Sequence, residues 1–172
     1  LVPTDLCRKL ATTPCALSSD QYLNFVFSRF TLPFPAFASY DWTQPPSFPF
    51  VAIIKYLIAH NSAGISLPTV FSRIVGNNCS GLEPVDTYLA LPETSRTPQG
   101  DEERQVREML VFLGQTSYIK WFDRRLYIDT TDYDAILRSI HPFIREPRKQ
   151  IPQEEFLALT SIGGKAAASR FD

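Results

Sequence analysis

The sequence predicts an α+β fold, mainly α-helical, on three observations. Two stretches, Ser47 to Ile58 and Ser66 to Val75, each open on a serine fit to cap a helix, put proline in the first turn and continue at helical apolar spacing. A third, from Gly100 to Gly114, aligns Val106, Met109, Leu110 and Leu113 on one helical face. The period then changes. Tyr118-Ile119-Lys120-Trp121 and Leu126-Tyr127-Ile128 are strand-like runs joined by Phe122-Asp123-Arg124-Arg125, a hairpin by length and composition.

Each element has a local reason. Residues 1–46 read as a helical, aromatic and proline-rich arm packed on the body. Ser19 and Asp20 are candidate caps for a helix through Tyr22, Leu23, Phe25, Val26, Phe27 and Phe30, which Leu32-Pro33-Phe34-Pro35 ends. The aromatics from Phe34 to Trp42 are expected to pack the arm down; an interaction surface is the alternative. Prolines cluster at 33, 35, 45, 46 and 49 and again at 142, 147 and 152, the pattern of rigid connectors.

Residues 47–145 form the predicted body. Phe50, Val51, Ile53, Ile54, Leu57 and Ile58 give its first helix a broad apolar face that ends between Asn61 and Gly64. Val70, Phe71, Ile74 and Val75 face inward on the second, which Gly76-Asn77-Asn78 stops. Leu82, Val85, Tyr88, Leu89 and Leu91 suggest a short helix or packed loop, and Pro92 to Gln99 an exposed turn. Asp101, Glu102 and Glu103 then place negative charge in the first turn of the third helix, where the helix dipole favours it. A further helix runs from Asp132 to Ile140. Residues 146–172 are expected to hold one more, Glu154 to Ile162, and a linker to a further domain. Three helices and then a hairpin is the order of a winged helix-turn-helix, a three-helix core plus a two-stranded wing.

Composition narrows the function classes. The 172 residues are 44% apolar and 13% aromatic, enough to bury a core. A net charge of −1 excludes a highly basic nucleic-acid coat protein, yet binding at one face needs only local positive charge. Residues 1–94 hold five Lys or Arg and the remaining 78 hold twelve, so an electrostatic footprint belongs to the second half. Cys7, Cys15 and Cys79 are an odd number at unrelated spacings, which fits a reducing cytoplasm better than a disulfide framework. No apolar run reaches the length of a membrane span. The lack of an initiator Met and the small-residue tail Gly163–Ser169 suggest a piece excised from a longer protein.

Catalysis finds little support. A PD-(D/E)xK nuclease needs an acidic residue two positions before a lysine, to hold a metal beside the attacking water. The residues two before the five lysines are Cys7, Ile53, Tyr118, Pro147 and Gly163. His60 and His141 have no partner at metal-ligand spacing. Gly163-Gly164-Lys165-Ala166 lacks the rest of a phosphate loop, and no serine nucleophile elbow is present. We therefore expect no catalytic residue, metal site or cofactor in this chain.

Binding finds more. On a helical wheel Arg104, Glu108, Val111 and Gln115 lie opposite the Val106–Leu113 core face, flanked by Gln105 and Arg107. Arg and Gln suit guanine and adenine edges, Glu accepts from cytosine N4, and an exposed Val111 suits a thymine or methylcytosine methyl. Lys120, Arg124 and Arg125 make the hairpin tip cationic, fit for phosphate. Ser95, Arg96, Thr97 and Gln99, on the turn before the third helix, are expected to join the same face. A solvated helix face, with salt bridges such as Arg104–Glu108, is the plainer alternative.

From Phe48 to Ile128 the chain resembles N-terminal winged-helix domains of restriction endonucleases, most closely the BisI-like modification-dependent group. The residues concerned are Gly81-Leu82-Glu83, Tyr88, Gly100 to Glu108, Tyr118 to Trp121 and Leu126 to Asp129. The resemblance implies a bacterial, cytoplasmic DNA-recognition domain that senses 5-methylcytosine in a short GC-rich site. It further implies a parent protein with a Mg²⁺-dependent nuclease domain and a homodimeric state. A protein–protein interaction module and a transcription regulator are the competing readings.

Overall fold

The computed structural model describes residues 19–32 and 47–142. Six α-helices and one two-stranded antiparallel sheet make an α+β, mainly helical fold among these residues. In chain order they are α1 (Ser19–Phe27), α2 (Pro49–Ala59), α3 (Leu67–Thr69, continued by a π-helical stretch Val70–Val75), α4 (Val85–Leu89), α5 (Glu102–Leu113), β1 (Ile119–Phe122), β2 (Arg125–Ile128) and α6 (Tyr133–Ser139). The Phe34–Trp42 aromatics, the C-terminal helix expected at 154–162 and the linker lie outside the described residues.

Helix α1 belongs to the same core as the rest. Leu23 and Phe27 are buried with Phe50, Ile54, Leu57, Leu110 and Leu113 in one apolar cluster. Phe27 stacks on Phe50 at 4.7 Å between ring centroids and meets Phe112 edge-on at 5.6 Å, which welds α1 to α2 and α5. Asp20 does not cap the helix it was expected to cap. Its carboxylate instead accepts from the Ser117 backbone N–H at 2.8 Å and from the Ser117 hydroxyl. Asn24 donates to Ser139 on α6 and accepts from the Tyr118 phenol. The helix also stops earlier than its apolar pattern predicts, at Phe27 rather than Phe30.

Ser47 is a second correction. The N-cap position of α2 is Phe48, with Pro49 in the first turn, while the Ser47 hydroxyl donates to the Leu32 carbonyl at 3.0 Å. Leu32 and Ser47 also exchange both backbone hydrogen bonds, so these two residues lie side by side. Ser66 behaves as expected, accepting from the Thr69 N–H. The helix that follows changes to π geometry at Val70, with the Gly76 N–H reaching back to the Phe71 carbonyl.

The hairpin is tight. Ile119 pairs with Ile128, Lys120 with Tyr127, Trp121 with Leu126 and Phe122 with Arg125. Asp123 and Arg124 both have positive φ, 44° and 60°, the geometry of a two-residue turn that matches strand twist. Ile65, between α2 and α3, adds a one-residue antiparallel bridge to Leu126.

One polar staple ties the loop before α4 to α2. The Glu83 carboxylate accepts from the Ser80 N–H and hydroxyl, the Gly81 N–H and the Tyr88 phenol, all at 2.7–2.8 Å. Lys55, the one charged residue on α2, donates to the Gly81 and Glu83 carbonyls at 2.7 and 2.6 Å. Burial raises the Glu83 carboxyl, but the hydrogen bonds from Ser80 and Tyr88 outweigh it and leave the pKa below the ordinary value. Gly81 has φ of +86°, and a Cβ there would lie 2.6 Å from the Phe48 carbonyl oxygen, so only glycine suits the turn.

Candidate nucleic-acid interface

Helix α5 presents the two faces that its sequence predicts. Val106, Met109, Leu110 and Leu113 are buried, while Arg104, Gln105, Arg107, Glu108 and Val111 are exposed. Val111 is 50% accessible and stands next to Phe112, itself 37% accessible, so this end of the exposed face is apolar.

The charges on that face are not free. Arg104 pairs with Glu108 at 3.5 Å, and Arg107 pairs with Glu103, both one turn apart. Asp101, Glu102, Glu103 and Glu108 outnumber Arg104 and Arg107. The helix therefore offers a neutralised to acidic surface rather than a cationic one, and a phosphate would have to displace a carboxylate to reach either arginine.

The turn before α5 is also committed inward. Arg96 donates to both carboxylate oxygens of Glu102 at 2.7 Å and to the Thr97 carbonyl. The Gln99 N–H donates to the same Glu102 carboxylate at 2.7 Å, and the Glu102 N–H donates back to the Gln99 carbonyl at 3.1 Å. Thr94 is bound to the Ser72 carbonyl through both its N–H and its hydroxyl. The segment is thus an extended strap fastened to α3, not a free turn. Ser95, Thr97 and Gln99 remain exposed along it.

The strap and the hairpin do not converge as expected. The strap enters α5 at Glu102, and the hairpin meets its other end, where Trp121 lies against Gly114. A helix of 12 residues separates them by roughly 18 Å.

The hairpin is the more open cationic element. Lys120, Arg124 and Arg125 are all exposed. Lys120 and Arg124 make no ion pair among the described residues, and Arg125 reaches the Ala63 carbonyl at 3.1 Å. Sequence reading missed that β1 breaks the usual inside–outside alternation. Lys120, Trp121 and Phe122 are all exposed in succession, Phe122 to 73%. The two neighbouring aromatics in a strand beside three cations were the available signal.

A second missed feature is an apolar groove of about 780 Å³ between the end of α1, α2 and α5. Phe30, Leu32, Phe50, Met109, Val111 and Phe112 line it, with Gln105, Arg107, Glu108 and Gln115 at its rim. Among the described residues no cluster of His, Cys, Asp and Glu stands ready for a metal ion, and no helix is long and apolar enough to cross a membrane. Comparison with known families, curated proteins and solved structures brings no match.

Proposed function

We propose that the chain is a winged helix-turn-helix that binds duplex DNA, with its hairpin as the wing. Helices α2, α3 and α5 supply the three-helix core, and the Ile65–Leu126 bridge adds the short strand that such a fold sets between its first two helices. The observation that carries the reading is the wing's charge. Lys120 and Arg124 stand exposed and unpaired among the described residues, on a hairpin docked at the end of α5. Phosphate contact then belongs to the wing, and base contact to the Val111 end of α5 beside it.

The family resemblance extends this reading. The module would be the recognition part of a modification-dependent restriction endonuclease, sensing 5-methylcytosine through α5 and the wing. Cutting would fall to a Mg²⁺-dependent domain of the parent protein.

A mobility-shift titration with GC-rich duplexes, methylated and unmethylated, tests the proposal. Binding at low salt should weaken steeply as salt rises, by roughly 0.9 in log K per phosphate contacted for each decade of salt. The groove between α1, α2 and α5 favours a second reading, a protein-partner module. Complete absence of low-salt binding would leave that one standing.

A further inference from the structure

We propose that the outer face of the wing is a stacking platform for an unpaired nucleobase. The preferred ligand is then a duplex with a single-stranded nucleotide beside it. This rests on the DNA reading of the same hairpin and names its substrate class. The strand register puts Lys120, Phe122, Arg125 and Tyr127 on one face, and Ile119, Trp121, Leu126 and Ile128 on the other. Ile119, Leu126 and Ile128 are buried and complete the inner face, so the core has no need of Phe122. Its ring stands in solvent, 6.3 Å edge-on from the Tyr127 ring.

The β2 side of the platform is anchored to the segment 63–65, which bridges to Leu126. Gly64 lies under Tyr127, where a Cβ would come within 2.7 Å of the ring, and Arg125 is fastened to the Ala63 carbonyl. Lys120 on this face and Arg124 at the turn flank the rings with positive charge, while Asp123 is the one carboxylate at the tip. A phenylalanine has no hydrogen bond to offer a base edge and no charge for phosphate. Its largest gain comes from stacking on a base face, and bases inside a duplex are already covered by their neighbours. An unstacked base beside cations that take its phosphates is the ligand that satisfies both parts of the surface.

The full chain is tested by fluorescence anisotropy against a blunt duplex and the same duplex with a short overhang containing 2-aminopurine. The overhang substrate should bind roughly tenfold tighter, with quenching of the 2-aminopurine emission on binding. Phe122→Ala should remove the preference and the quenching while blunt-duplex affinity stays within about twofold; Phe122→Trp should restore both. Equal wild-type affinity for the two substrates overturns the platform and leaves duplex binding intact. A Phe122→Ala variant that weakens both equally overturns it too, and binding to neither removes the DNA reading with it.

Discussion

Trp121 lies over the last turn of α5 with its indole against Gly114, so close that a Cβ on the glycine would overlap the ring nitrogen. The contact is the joint between hairpin and helix. Gly114 has φ of −66°, which any residue tolerates, so an alanine here meets no backbone strain and acts only by displacing the indole. Gly114→Ala should cost roughly 1–2 kcal/mol as overpacking does. In a Trp42→Phe background it should also shift Trp121 emission and weaken DNA binding through the wing. Unchanged emission would show that the joint does not constrain the ring.

The Glu83 staple predicts an acid-sensitive stability. Its carboxyl pKa lies below the ordinary value in the folded chain, because four hydrogen bonds outweigh burial. Its contribution is therefore full above the ordinary carboxylate range and is lost as pH falls through the lower folded value. Glu83→Gln turns an amide N–H₂ toward donors and should cost about 2 kcal/mol at pH 7. Thermal melts of the two proteins should converge as the pH falls below the ordinary carboxylate range and through the lower folded value. A gap that persists undiminished as the pH falls would mean the staple acts by shape rather than charge. Cys79 stands beside the staple with its thiol pushed up to about 11 by burial and then by Glu83's charge, so alkylation there at pH 8 should be slow.

What sequence reading captured, and what it missed, follows from the range of the forces involved. The apolar faces of α2 and α5, the Ser66 cap and the hairpin depend on neighbours a few residues away, and these were legible. Ser47 is a cap by local pattern because Pro49 follows it, yet its hydroxyl donates to Leu32, 15 residues earlier. Lys55 on a helix otherwise apolar hinted at a buried partner, but its acceptors lie 26 and 28 residues on. The binding face suffered most. Residue types alone place Arg104 and Arg107 on the outer face of α5; whether a guanidinium is free depends on rotamers that Glu103 and Glu108 capture. The distance between the strap and the hairpin is set by the length of α5, which local sequence pattern does not relate to the spacing of the two groups.

The captured arginines give a test that runs against ordinary intuition about loss of function. If α5 enters a DNA groove, Glu103 and Glu108 hold its arginines back, and removing them should help. Glu103→Gln with Glu108→Gln should tighten duplex binding several-fold and steepen the salt dependence by about one to two phosphate equivalents. The exposed pairs contribute little to the fold, so stability should change by less than about 1 kcal/mol. Lys120→Ala with Arg124→Ala should act oppositely, weakening all sequences alike and lowering the slope. An unchanged affinity in the carboxylate variant would place α5 away from the DNA.

Val111 provides the sharpest test of methyl sensing, because it is the most exposed apolar side chain of α5. It forms no part of the buried face made by Val106, Met109, Leu110 and Leu113, so shortening it should leave the fold nearly unchanged. Burial of one methyl group contributes roughly 0.8 kcal/mol, a three- to fourfold gain in affinity for each 5-methylcytosine it meets. Competition titrations with matched duplexes should give that ratio for the wild-type chain and a ratio near one for Val111→Ala. The unmethylated affinity should stay the same in both, since the valine has no hydrogen bond to offer either form. A methyl preference that survives the substitution would move the sensor to another part of the surface, with Phe112, Trp121 and Phe122 next in line because they are further large apolar groups exposed on α5 and the hairpin. A wild-type chain indifferent to methylation would leave α5 as a plain duplex contact.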